Sequence, residues 1–556
     1  MVAILISSSV LLYTFFGFGI FFKKLTGLPL NLTDLLLIGL VITNSFVTLA
    51  SLFFPTSQFT LFVFLLVSTI FILYLKEDVK KLYLLICSNG ILNVFIFLFA
   101  VVALIKSVDY PNNYDSALYH LQAIKWIEKF PALPGLANLH GRLGFNSNVF
   151  SLFALTSLNF IFKQEVFSVN FTAFVIVIIY LVKILQRLSA SNKISNLLIF
   201  NVVIFYLVLG LDNLSNPVPE YVSTILILYI FLRVINFSFE YGEFDFIKVL
   251  PLFLIAVYVV TVKLAALPIM ILFVLLPLID RKKKWNQFLK VLPLSLIIII
   301  PWCVRNIVLT GWLIYPFPHF DIFNVDWKVP LSNVITEKEA ITGWARSPNA
   351  NYRQAVKMNI YEWFPIWWRM LNQNSKIWIL FAATVPLLGF IGLLIKKINI
   401  SRLNLIILIS AFLGVIYWFV LAPDFRFGMP FILVSAWSFL LYTDFRLRGK
   451  PLKNIEYAYI LSLFVVFVCS NISFFNKMVI NEKLHANVLI MAPKMKMPDG
   501  VYFKLLPVQN GKIFVPSRGD QCFDCEIPCA THYDQNIIFR DSKIDFGFKY
   551  NVINIQ

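Results

Sequence analysis

The residues best able to do chemistry are few, and long apolar runs separate them. The first set lies in 109–130, DYPNNYDSALYHLQAIKWIEKF. Pro111, Asn112 and Asn113 mark a turn, and Leu118, Leu121, Ile124, Trp126 and Ile127 then approximate a helical stripe. That pattern predicts an amphipathic helix along the membrane surface with its Trp at the interface. Asp115 stands just ahead of it. Either it caps the free N–H groups of the first turn, or it is a catalytic carboxylate that takes a proton from a nucleophile or holds a metal ion. Tyr119 and His120 follow at helical spacing, either lining a site or serving only as hydrogen-bond partners.

Other charged side chains stand out against apolar surroundings. Lys263 interrupts AVYVVTVKLAALPIM, where an isolated ammonium must snorkel to the interface or meet a partner. Arg305 precedes Asn306 in PWCVRNIVLTGWLIYPFP (301–318), placed to anchor a helix end among headgroups. Asp424 and Arg426 share the short turn APDFRFGMPF (422–431), near enough to pair with each other. Glu220 follows Pro219 in LDNLSNPVPEYV (211–222), where an acid suits a helix start; Asp212 lies just upstream. Cys522, Cys525 and Cys529 form CFDCEIPC without a second cysteine pair, which argues against zinc. In an oxidising compartment two of the three would pair, and the spacing does not say which. The chain has no phosphate-cradling glycine loop, dinucleotide fingerprint or serine-hydrolase elbow.

What must position these residues is set by composition. The chain has 556 residues, 59% hydrophobic and only 14% charged, with 57 Phe; its mean hydropathy is +0.80. Soluble domains carry about 25% charged residues, so most of this surface faces lipid. The net charge of +18 would suggest nucleic acid in a soluble protein. Here it sits in short clusters such as Lys23-Lys24, Lys80-Lys81, Arg281 to Lys284, Lys396-Lys397 and Arg446 to Lys453, the signature of cytoplasmic loops. No basic, aromatic-bearing domain gathers it, so nucleic acid is excluded as a partner. Residues 1–22 lack a basic start and a cleavage site, and read as a retained first helix.

Apolar runs predict spans near 2–22, 33–54, 59–75, 82–105, 165–183, 194–211, 219–236, 249–263, 264–280, 291–309, 376–395, 403–421, 429–445 and 455–474. Keeping the basic clusters inside requires that 148–162 not cross, and that the chain turn back near Lys263. The expected organisation is N-terminal helices in 1–105, an outer loop in 106–164, further helices in 165–474 with an outer loop at 310–375, and a small extracytoplasmic region from 475 to 556. Short β-prone stretches (VYFKLL, KIFVP, NIIFR) mark that last region. All the long loops fall outside, where loops on a rigid scaffold carry function.

YDSALYHLQAIKWIEK resembles the first outer loop of the GT-C superfamily of membrane glycosyltransferases, with an acidic residue ahead of a Tyr-His and a juxtamembrane helix. PGLANLHGRLGFNSNVFSLFAL (134–155) is similar to a subset of bacterial GT-C-like proteins, as is the Pro-Trp, Arg-Asn, Thr-Gly, Tyr-Pro run of 301–316. The resemblance implies an all-α integral membrane protein, a GT-C-like bundle of about 13–14 transmembrane helices with outer juxtamembrane helices, in a bacterial inner membrane with its active face extracytoplasmic. It implies transfer of a sugar from a polyprenyl-phosphate-linked donor to a glycan, lipid or protein acceptor. Asp115 would be the base; Lys263, Arg305 and Arg426 would face the donor phosphate, which arginine grips bidentately. Tyr119 and His120 would shape the pocket, with Glu220 or Asp212 as a second acid. The resemblance fixes no cofactor, and a divalent metal stays open. The chain departs from the superfamily's aminoarabinose and protein-mannosyl branches in having Asp115-Ser116 in place of an Asp-Glu pair, and lacks the oligosaccharyltransferase WWD signature. The alternatives are a polymerase or flippase of polyprenyl-linked glycans, and a transporter.

Overall fold

The computed structural model describes residues 1–76, 78–80, 90–190, 213–237, 246–279, 285–347, 351–395, 400–441, a few positions within 460–472, and 486–551. The protein is predominantly helical. Among the described residues six helices are long and apolar enough to cross a membrane: Val2–Thr26, Leu32–Ala50, Gly90–Ser107, Leu292–Thr310, Gln373–Leu394 and Arg402–Leu421. Shorter apolar helices stand at Gln58–Tyr74, Val169–Ile184, Ile247–Val262, Leu264–Leu278 and Phe425–Leu441, and Pro219–Ile235 adds another. Most expected spans therefore meet a helix, several of them shorter than a full crossing. The spans at 194–211 and most of 455–474 lie outside the described residues.

The segment 148–162 does not form a spanning helix. It folds as two short pieces, the buried Phe150–Leu155 and the largely exposed Asn159–Phe162, as the charge pattern requires. The apolar run around Lys263 is broken where expected. Helix Leu250–Val262 ends, Lys263 takes an extended backbone (φ −153°, ψ 124°), and Ile269–Leu275 begins after a short 3₁₀ turn.

A buried polar network joins these pieces. Asn148 receives Asn44 Nδ2 on its carbonyl at 2.9 Å, and its own amide donates to Thr261 Oγ1 at 2.9 Å. Its backbone N–H donates to the Thr261 carbonyl, and Ser147 Oγ donates to the Val262 carbonyl. Thr48 Oγ1 donates to Asn148 Oδ1, while Asn44 also reaches Tyr258. Groups this deeply buried must pair, so the network fixes loop 146–151 against the residues just before Lys263. A second clamp links Asp34 on Leu32–Ala50 to Pro219–Ile235: Arg233 Nη2 lies 2.8 Å from Asp34 Oδ2 and Tyr229 OH donates to Asp34 Oδ1 at 2.6 Å. Both charged side chains are 2% exposed.

The C-terminal region departs from helix. Strands Phe503–Val508 and Gly511–Pro516 pair antiparallel, as do Ile537–Phe539 and Phe548–Tyr550. This part packs on the loop that follows Gly90–Ser107. The Phe548 N–H donates to the Pro134 carbonyl. At Gly135, with φ +67°, a Cβ would come within 2.0 Å of the Phe548 carbonyl oxygen, so only glycine fits. The contact changes the reading of helix Leu121–Lys129. It is not a surface helix with a wet polar face. Its residues Leu121 to Ile127 are all buried, because the tail accepts the polar side: Gln122 donates to the Phe523 and Cys525 carbonyls, and Lys125 pairs with Asp524. Trp126 meets Phe548 edge to face rather than lipid.

Candidate functional site

Asp115 opens a helix that contains a π turn, Ser116–His120, closed by the Leu121 N–H donating to the Ser116 carbonyl. Such bulges are frequent at functional sites. This one is braced from outside, since the Phe523 N–H donates to the Ala117 carbonyl at 2.8 Å. The capping role falls to Asn113, whose Oδ1 accepts from the Ser116 N–H at 2.9 Å. The Asp115 carboxylate makes no cap bond and turns to two guanidinium groups. Arg142 Nη1 donates to Asp115 Oδ1 at 3.0 Å, and Arg426 Nη1 lies 3.5 Å from Asp115 Oδ2.

Each partner is held by its own element. Arg142 stands on the 3₁₀ turn Gly141–Phe145, which ends at Asn146 in a left-handed conformation. The Asn146 amide donates to Asn306 Oδ1 and to the Trp302 carbonyl, and Trp302 Nε1 donates back to the Asn146 carbonyl. A Cβ on Gly141 would reach 2.5 Å from Glu337 Oε1, so the turn is pressed on helix Leu331–Arg346. Arg426 starts the helix after Asp424, which both caps it and pairs with it at 2.8 Å. Lys263 forms an ion pair with Glu220 and sits 3.8 Å from the centroid of Phe427. Asn216 Oδ1 accepts from the N–H groups of Asn112 and Asn113, both at 3.0 Å, tying the Glu220 helix start to the turn before Asp115.

Tyr119 and His120 lie buried among these charges. Burial, then the negative charges of Asp115 and Glu220, push the Tyr119 phenol well above its usual range. Burial holds the His120 imidazole down at about 4 despite those same carboxylates, so it stays neutral near pH 7. Its Nδ1 shares a hydrogen bond with Ser116 Oγ at 3.0 Å. His120 Nε2 and Glu220 Oε2 are buried without a hydrogen-bond partner among the described residues.

Of the expected site residues, Asp115, Tyr119, His120, Glu220, Lys263 and Arg426 therefore come together. Arg305 does not. It is 5% exposed and donates to Ser51 Oγ at 2.9 Å, and the run that follows it serves as a brace: Thr310 Oγ1 accepts from the Trp312 N–H, and Trp312 Nε1 donates to the Val329 carbonyl. Asp212 lies outside the described residues. Arg142 joins the cluster without a local sequence signal, although it is the sole Lys or Arg between Lys129 and Lys163. Among the described residues no three His, Cys, Asp or Glu side chains gather as a metal site. Cys522 and Cys529 form the disulfide, leaving Cys525 as the free thiol of the three.

Fold and cluster together define a mostly helical protein of membrane-protein type, in which acidic and basic side chains from the loops and helix ends gather around Asp115 and Glu220. Residues 1–433 match the family described as a domain of unknown function (DUF8201), and the chain belongs to that family. Neither a curated protein nor a solved structure matches it.

Proposed function

We propose that this chain is an inverting membrane glycosyltransferase of GT-C type, acting on the extracytoplasmic face of a bacterial inner membrane and using a polyprenyl-phosphate-linked sugar. The observation that carries the reading is Asp115 released from helix capping and held between Arg142 and Arg426. The carboxylate takes the proton of the acceptor hydroxyl as its oxygen attacks the anomeric carbon; the bond from that carbon to the phosphate oxygen breaks, and polyprenyl phosphate leaves with the electron pair. Arg426 and Lys263, with Arg142, stabilise the charge growing on that phosphate. Before the donor binds, Asp115, Glu220 and Asp424 neutralise these cations. An arriving phosphate competes for the guanidinium groups and leaves Asp115 freer to accept a proton. His120 Nε2 and Glu220 Oε2, two buried atoms with no hydrogen-bond partner among the described residues, are suited to sugar hydroxyls.

The test is donor consumption. Membranes bearing the protein, given a panel of polyprenyl-phosphate hexoses and pentoses with candidate acceptors, should release polyprenyl phosphate and deliver the sugar with inverted anomeric configuration. Movement of intact lipid-linked sugar across the bilayer without its cleavage would favour a flippase.

A further inference from the structure

The helix Ile360–Met370, IYEWFPIWWRM, has three faces with different chemistry. Trp363 and Trp367, one turn apart, are buried at 4% and 3% exposure. They pack on Phe419 and Trp418 of the neighbouring apolar helix, and Trp367 Nε1 donates to the Pro423 carbonyl at 2.7 Å. With about 3.6 residues per turn, Ile360, Tyr361, Phe364 and Trp368 fall on an adjoining flank. Tyr361 is 88% exposed and Ile360 is 49%. Glu362 and Arg369, both exposed, fall together on the remaining side. Asn359 and Glu362 close a capping box at its start, so the helix is defined independently of its apolar flank.

What covers that flank is indicated by the next element. Only Leu371 and Asn372 separate Met370 from Gln373–Leu394, a helix apolar enough to cross a membrane, which carries its own exposed Ile377, Leu380, Phe381 and Leu388. Exposed apolar side chains thus stand on both sides of a polar junction, Asn372 to Asn374, where Lys376 Nζ lies 6.0 Å from the centroid of the Trp368 ring; aromatic and cationic side chains together favour the boundary between hydrocarbon and water.

We infer that Ile360–Met370 lies flat in the bilayer interface, with Tyr361, Phe364 and Trp368 toward the acyl chains and Glu362 and Arg369 toward water. Through the Trp367–Pro423 bond it sets the Asp424–Arg426 turn at the depth of the lipid headgroups. The inference does not depend on sugar transfer; it requires only that Gln373–Leu394 cross the membrane.

Site-directed spin labelling tests it in the full chain in phosphatidylglycerol–phosphatidylethanolamine vesicles. Tyr361→Cys, Phe364→Cys, Glu362→Cys and Arg369→Cys are each labelled after Cys87, Cys303, Cys469 and Cys525 are replaced by Ala. Collision with oxygen should dominate at 361 and 364, and collision with a water-soluble nickel chelate at 362 and 369. Nickel access at all four positions would place the helix in water. Shielding of 361 and 364 from both reagents would mean that protein covers the flank; either result overturns the inference.

Discussion

Asp115 shows how one side chain's task is settled by its neighbours. A carboxylate at a helix start usually bonds the free N–H groups there, and the local sequence leaves that role open. Asn113 takes it, and the carboxylate is left to Arg142 and Arg426. Arg142→Ala should therefore weaken donor binding while the fold persists. Losing a hydrogen bond to a charged group costs about 1.5–3 kcal/mol, or roughly 10- to 150-fold in affinity, read by titration with a polyprenyl-phosphate sugar. Asp115, Tyr119, His120, Lys263, Glu220 and Arg426 were legible because each is a polar group where the surrounding pattern has little use for one. Arg142 was not, since no periodicity relates it to Asp115, 27 residues away. Arg305 was misplaced for a related reason: an arginine at a helix end reads the same whether it meets phosphate or, as here, a serine hydroxyl.

Among elements, the apolar runs announce helices clearly, but not what joins them. The Asn44–Asn148–Thr261 network and the Asp34–Arg233 pair depend on residues brought together by helix packing, which spacing along one helix cannot reveal. The charge pattern did carry information of this kind: keeping the basic clusters on one side required 148–162 not to cross, and its short helices do not span. Asp34→Ala would take from the buried Arg233 guanidinium the carboxylate that lies 2.8 Å from it. Breaking such a pair by removing one partner costs about 3–5 kcal/mol, so the variant should melt well below the parent protein in detergent. An unchanged melting temperature would show that the clamp contributes little.

For the whole molecule, the C-terminal region is part of the site's scaffold. Tyr114 donates to Asp520 at 2.6 Å across 406 residues of sequence, and Phe523 braces the π turn that carries Tyr119 and His120. The β-prone stretches were legible, but their docking on the first loop was not: Gln122 donates to backbone carbonyls of the tail, which leave no mark in residue type, and the Lys125–Asp524 pair joins residues 399 positions apart, which no periodicity relates. The join also half-buries Glu165, which lines a small cavity with Lys494 and Asp524. Burial, then the charges of Asp524 and Glu128, push its carboxyl up to about 8. A carboxyl raised in the folded state contributes full stability below its ordinary pKa and loses it as pH rises through the folded value. Glu165→Gln should thus match the parent near about pH 4.5 and gain on it steadily toward about pH 8, as melting temperatures across that range would show. A difference independent of pH would place the titration elsewhere.

The central claim rests on the Asp115 carboxylate as the base, and Asp115→Asn tests it most directly because the side chain keeps its shape. Release of polyprenyl phosphate by the purified protein in vesicles, at equal protein level, should fall by about 10²–10⁴-fold, the contribution typical of a positioned general base. Turnover close to that of the parent protein would contradict the account.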